Sequence, residues 1–271
     1  MQSIFRNTYI WIFCVALLLC SCNNFTKEVE IKLPEFKSQL VIEAYIEDNK
    51  PIKVALTETQ NYFDTLKNPF VEIANVIFSY NGNSYKLGKN FPDIRNRKYF
   101  NFALNDSFHF QEGDMVYISV KDINNRMANA QSRWINPVKL DSIGFSYNQK
   151  EQALITAHFK DPINARNFYR FRVVNLSDSN KVKQDFFTDD ATINGTKTAF
   201  GTGFNFKKGD SLEISLFNIP QDFYTFLETA NAAIGSNGNP FAQPAVIKSN
   251  VTGGSGIFTV VPYDRKIFVL P

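Results

Sequence analysis

The chain has 271 residues, with 29 Lys and Arg against 26 Asp and Glu and a formal charge of +3; a balance so near neutral excludes the broad cationic field that gathers nucleic acid. Three cysteines and two histidines leave little for thiolate or imidazole chemistry, whereas 27 Phe and 11 Tyr suit β-sandwich cores and cross-strand aromatic pairs. The length allows two domains of ordinary size, each with its own core.

Residues 1–21 have the three parts of a secretory signal. Arg6 supplies the positive start, and residues 10–20 are almost wholly apolar. That run matches the roughly 7–15 residues of a signal-peptide core and falls short of the ~20 that a spanning helix needs. Leu19-Cys20-Ser21-Cys22 then reads as a lipobox, with cleavage after Ser21 and acylation of Cys22. The other reading is an uncleaved anchor with a chance cysteine. Several acyl chains, at about 0.8 kcal/mol per buried CH₂, would hold the protein stably on a membrane. Cys14 and Cys20 would leave with the signal, so neither a disulfide nor a thiolate metal ligand is expected. Residues 22–36 read as a tether, with Lys27-Glu28-Val29-Glu30 placing charge close behind the lipid.

From Gln39 the pattern has period two. Leu40, Ile42, Ala44 and Ile46 alternate with outward positions, and Ile52, Val54 and Leu56 do so after the Asp48-Asn49-Lys50-Pro51 turn. A loop over 59–69 carries Tyr62 and Phe63. Val76, Phe78 and Tyr80 make a strand, and Asn81-Gly82 is a two-residue hairpin signal, since both central residues of a type I′ turn need positive φ. Strands are expected over 99–104, 116–120 and 126–134. Together these give an N-terminal β-sandwich of Ig or transthyretin type over residues 37–135.

Asn136-Pro137 marks a boundary, and residues 136–271 read as a second β-rich domain with one helix. Strands are expected over 138–147, 153–159, 168–176, 183–188, 211–217, 245–250, 256–261 and 267–270. Lys208-Gly209-Asp210-Ser211-Leu212-Glu213-Ile214-Ser215-Leu216 echoes Glu112-Gly113-Asp114-Met115-Val116-Tyr117-Ile118-Ser119-Val120. The echo is read first as one turn-into-strand chemistry used twice, with a duplicated sandwich as the alternative. The helix is expected near 220–234. Pro220 suits its first turn, Phe223, Phe226, Leu227, Ala230 and Ile234 share a face, and Gly235 supplies a stop. The fold class expected is therefore mainly β, two sandwiches and one helix.

Catalytic signatures are not found. The sequence holds no His-x-x-x-His, Gly-x-Ser-x-Gly or P-loop pattern. His109 and His158 fall in different strand patterns and read as structural or surface residues. Gly201-Thr202-Gly203 and Lys207-Lys208 read as loop and turn. Asp189-Asp190 lacks calcium-loop spacing and reads as solvated acids. No cofactor, metal or catalytic residue is assigned. Tyr62, Phe63 and Phe241 are the candidate contact residues for a ligand or partner, because loop aromatics can present an apolar surface.

Three stretches carry a resemblance. Asn239-Pro240-Phe241, Pro244 and Ser249-Asn250-Val251-Thr252-Gly253-Gly254-Ser255-Gly256-Ile257-Phe258 resemble the closing motif of the DUF4249 family of Bacteroidota lipoproteins. Leu40-Val41-Ile42-Glu43-Ala44-Tyr45-Ile46 and Phe159-Lys160-Asp161-Pro162 with Asn167-Phe168-Tyr169-Arg170-Phe171 are similar to it too. The resemblance supplies no catalytic residue. It implies an outer-membrane lipoprotein, displayed at the cell surface rather than facing the periplasm, that partners a TonB-dependent barrel in nutrient uptake. An assembly lipoprotein of another envelope complex is the alternative, and a surface hydrolase a more distant one.

Overall fold

Alternation sets the first layer. On β1 (Leu40–Ile46), Leu40, Ile42, Ala44 and Ile46 have no exposed surface, while Glu43 faces out. β2 (Pro51–Glu58) runs antiparallel to it and buries Ile52, Val54 and Leu56 in the same way. The computed structural model describes residues 35–61, 65, 67–89, 99–163, 165–236 and 245–271. β3 (Ala74–Tyr80) turns into β4 (Asn83–Lys86) through Asn81 and Gly82 at φ of 49° and 75°, the backbone that the Asn-Gly pair signals. Then come β5 (Gly88–Lys89), β6 (Phe102–Ser107), β7 (Met115–Asp122) and β8 (Met127–Arg133). A late strand, β15 (Ser255–Val260), joins them. Sheets β15-β1-β2-β6-β5 and β4-β3-β7-β8 enclose one core, in which Ile42, Leu56, Phe78, Ile118 and Trp134 meet.

The second sandwich comprises β9 (Leu140–Tyr147), β10 (Ala153–Lys160), β11 (Phe168–Asn175), β12 (Lys181–Asp189), β13 (Lys197–Gly201), β14 (Ser211–Asn218) and β16 (Tyr263–Val269). Its sheets are β13-β10-β9 and β12-β11-β14-β16, around a core that includes Ile155, Phe159, Phe171, Ile214 and Leu270.

The strand order of the first sandwich is repeated in the second. β1-β2-β6 corresponds to β9-β10-β13, and β4-β3-β7-β8 to β12-β11-β14-β16. The echoed turns share their backbone bonds and their aspartate cap. Gly113 and Gly209 sit at φ of 91° and 85°. Asp114 accepts the Gln111 N–H and Asp210 the Lys207 N–H, at 2.8 and 2.9 Å. Gly113 donates to the Trp134 carbonyl as Gly209 does to that of Leu270. Phe110 and Phe206, four residues before each aspartate, are both buried. The echo is thus part of a repeated sandwich, not an isolated turn used twice.

The repeat lacks a counterpart of β5 and departs most after β14. β7 and β8 are joined by a tight turn, whereas α1 (Gln221–Ser236) and β15 lie between β14 and β16. β15, from the second half of the chain, leaves that sandwich and pairs in parallel with β1 of the first, Ile42 opposite Gly256 and Ile46 opposite Val260. Phe258 and Val260 enter the first core, each contributing about 1.5–3 kcal/mol by burial. Ile257 faces the other way, into a small cluster with Phe168, Ile219, Phe223 and Val261 that seats the helix. Residues Ser38–Pro271 accordingly pack as one compact unit.

Several local expectations are corrected. Residues 245–250 form no strand: Val246 and Ile247 are 77% and 43% exposed, and Lys248 N–H bonds the Thr229 hydroxyl instead of a ladder. The strand expected over 99–104 begins at Phe102, because the Asn101 side chain takes the place of a backbone partner. Its Oδ1 accepts the Leu56 N–H at 2.7 Å and its Nδ2 donates to the Leu56 carbonyl at 2.9 Å. The helix runs to Ser236, so Gly235 lies in its last turn. Phe223 is buried on it, but Ile234 is 73% exposed. β13 occupies a stretch, ending at Gly201, where no strand was expected.

Candidate functional site

Cys22, Tyr62, Phe63 and Phe241 lie outside the described residues. Of the other residues weighed from sequence, His109 follows β6 in an irregular stretch and sets its Nδ1 3.0 Å from Asp48. His158 faces outward on β10. Lys207 and Lys208 are exposed at their turn. Among the described residues no group of three or more His, Cys, Asp or Glu is placed to hold a metal ion.

Asp189-Asp190 is not the solvated pair expected. Asp189 accepts from Arg166 at 3.0 Å, but Asp190 is 3% exposed and accepts the Asn167 N–H at 2.8 Å. Beside it lies Asp161, 1% exposed, which accepts from the Tyr169 hydroxyl and from the Gly195 N–H at 2.7 Å. Burial and this carboxylate push the Tyr169 hydroxyl well above the usual phenol range, so it stays a donor. The knot ties the 161–167 loop to the 190–196 loop. Its carboxylates are spent on these bonds, which makes it a structural fastening.

The closing motif is a second fastening. Asn250 accepts the Phe258 N–H at 3.1 Å and donates to the Phe258 carbonyl at 2.8 Å, so one amide stands in for a neighbouring strand along the outer edge of β15. Thr252 and Asn129 exchange backbone bonds of 2.8 and 2.9 Å, hooking the segment onto β8. Gly256 sits at φ 106°, and a Cβ there would lie 2.1 Å from the Ile42 carbonyl oxygen; only glycine lets the two backbones meet.

This clasp forms one wall of a cleft about 820 Å³ in volume. The floor is the outer face of β3, β7 and β8. Cross-strand register puts Ser79 beside Tyr117 and Tyr117 beside Gln131, with Ser119 beside Asn129 in the next row. The start of α1 supplies Asp222 and Thr225, and the clasp supplies Lys248, Ser249 and Thr252. Tyr117 is 44% exposed and adds an aromatic ring to the hydroxyls and amides around it. The charges on the lining are one carboxylate, Asp222, and one ammonium, Lys248. Such a surface can hydrogen-bond a polar, largely uncharged group and stack on it. Alternation in the sequence marks these positions as outward; it does not show that a helix and a distant segment wall them in.

No curated protein matches the chain. Among solved structures, the chain is similar to the FN1–FN3 domains of chicken CNTN1 at 10% identity and a TM-score of 0.29, covering 65% of this chain and 57% of that one. It is similar to a chain of a cytokine receptor complex at 9% identity and 0.27, covering 69% and 86%. For Salmonella alpha-2-macroglobulin the values are 8% and 0.25, with 93% of this chain against 16% of that one. Likenesses this remote carry no functional argument. The family comparison is decisive in a way these are not: residues 26–267 match the model of the domain of unknown function DUF4249, and the chain belongs to that family.

Proposed function

We propose that the protein is a lipid-anchored accessory protein of the outer membrane, one that binds and does not catalyse, and that it serves a TonB-dependent transporter in nutrient uptake. Cys22 is the anchor, and the 22–36 segment spaces the body from the membrane. The observation that carries the binding reading is the polar cleft beside Tyr117, whose floor comes from one sandwich and whose walls come from the helix and clasp inserted in the other. A site on two fastened bodies is held rigid, which lowers the entropic cost of capturing a ligand. No helix among the described residues is long and apolar enough to cross a membrane.

The test is purification of the natively expressed, C-terminally tagged chain from mild detergent, with its partners identified by mass spectrometry. A stoichiometric TonB-dependent barrel supports the proposal. A different stoichiometric envelope complex favours an assembly role, and recovery of the chain by itself counts against both.

A further inference from the structure

A second cleft, about 660 Å³, lies beside the 135–139 connection between the two strand sets. Its chemistry differs from that of the cleft beside Tyr117. Four cationic side chains line it, Arg133, Lys139, Lys160 and Arg166, against a single carboxylate, Glu112. That carboxylate is already engaged by the Asn136 amide at 2.7 Å. Arg166 is paired with Asp189, and Lys139 comes no nearer than 3.8 Å to Asp264. Arg133, at the end of β8, and Lys160, at the end of β10, are exposed, and their charged groups have no ion pair or hydrogen bond among the described residues. The start of α1, at Pro220 and Gln221, closes one end and adds the positive pole of the helix.

One buried polar atom on the lining of this cleft is left unsatisfied. Asn218, 6% exposed and also lining this cleft, donates through Nδ2 to the Asn136 carbonyl at 2.9 Å. Its Oδ1 is buried with no partner among the described residues. An orphaned buried acceptor costs free energy that a bound donor would recover. The cations call for an anion, and Asn218 calls for a donor beside it.

From this juxtaposition we infer that the cleft is a binding site for a small hydroxylated anion, a carboxylate or phosphate that carries a hydroxyl group. The anionic group sits between Arg133 and Lys160, where the guanidinium can bond it two-fold. The hydroxyl donates to Asn218 Oδ1. The site is separate from the polar cleft and does not depend on the transporter reading.

The experiment is isothermal titration calorimetry on the full chain in mild detergent at low salt. Citrate and glucose 6-phosphate are the probes; tricarballylate, which is citrate without its hydroxyl, and glucose are the comparators. At least one probe is expected to bind saturably, and the Arg133→Ala/Lys160→Ala double variant to weaken it by about tenfold or more. Both positions are exposed, so the variant should keep the parent's circular dichroism and melting temperature. The comparator matched to that probe is expected to bind several-fold more weakly. The inference is overturned if neither probe saturates below about 1 mM, if the double variant binds as well as the parent, or if the matched comparator binds equally.

Discussion

Replacing Asn250 by alanine removes both bonds that hold the free edge of β15. Phe258 has no exposed surface, so water cannot readily take over its N–H and carbonyl. Leaving each unpartnered costs about 1–3 kcal/mol, or about 2–6 kcal/mol together. That is a large part of the roughly 5–15 kcal/mol that holds a typical folded protein. The assay is urea unfolding of the full chain, followed by far-UV circular dichroism and by the fluorescence of Trp134, which is buried in the first core against Phe110 with ring centroids 5.0 Å apart. Because β15 belongs to the first core while its neighbours in sequence belong to the second, both signals should move together to lower urea. A loss under about 0.5 kcal/mol, or a fluorescence shift with unchanged dichroism, would refute the claim that this amide fastens the two halves.

Asn101→Ala should cost a similar amount by the same route, since Asn101 serves the Leu56 backbone as Asn250 serves Phe258; an unchanged urea midpoint would contradict it. Gly256→Ala should destabilise by about 3 kcal/mol or more, through positive φ and collision with Ile42. Gly235→Ala meets nothing within 4 Å in the last helical turn and should be neutral or stabilise by up to about 1 kcal/mol. Thermal melting of the pair distinguishes the two glycines, and equal effects would defeat the argument. The Tyr80–Asp114 bond of 2.7 Å gives stability two pH limits. The Gln111 N–H and then the Tyr80 hydroxyl hold the Asp114 carboxyl below its usual range, so its contribution is present above the ordinary aspartate pKa and lost as pH falls through the lowered one. Asp114 pushes the Tyr80 hydroxyl up to about 12, so that contribution is present below the ordinary tyrosine pKa and lost as pH rises toward 12. Tyr80→Phe should flatten the alkaline limb of a stability–pH curve. Cys22→Ala should move the protein from the membrane fraction to the soluble one, and a variant still bound to membranes would remove the lipid-anchor claim.

What was legible in the sequence follows from how local its cause was. β1, β2, β7 and β10 could be read because one buried face repeats every second residue. The Asn81-Gly82 turn was equally plain, since the dipeptide states its own backbone angles. Asn101 and Asn250 misled, because an amide side chain imitating a strand is not distinguishable by composition from a loop asparagine. Val246 and Ile247 look like strand residues yet pair with no strand among the described residues. Ile234 continues the helical period but is 73% exposed among the described residues. The buried state of Asp190 depends on Asn167, and the clefts depend on which distant segments cover an outward face. Such placements are tertiary, and no window along the chain contains them.

The insertion of β15 has a consequence for the order in which the chain can fold as it is made. A sandwich whose first strand waits for a partner near the far end cannot be completed as it emerges. Its β1 edge stays open until almost the whole chain is available, since Ile42 must find Gly256. Pairings this remote are slow to form and favour an extended precursor over a prematurely compact one. For the exported lipoprotein proposed above, that delay would keep the chain open until it had crossed a membrane, and the clasp that ends the delay precedes only β16 among the strands.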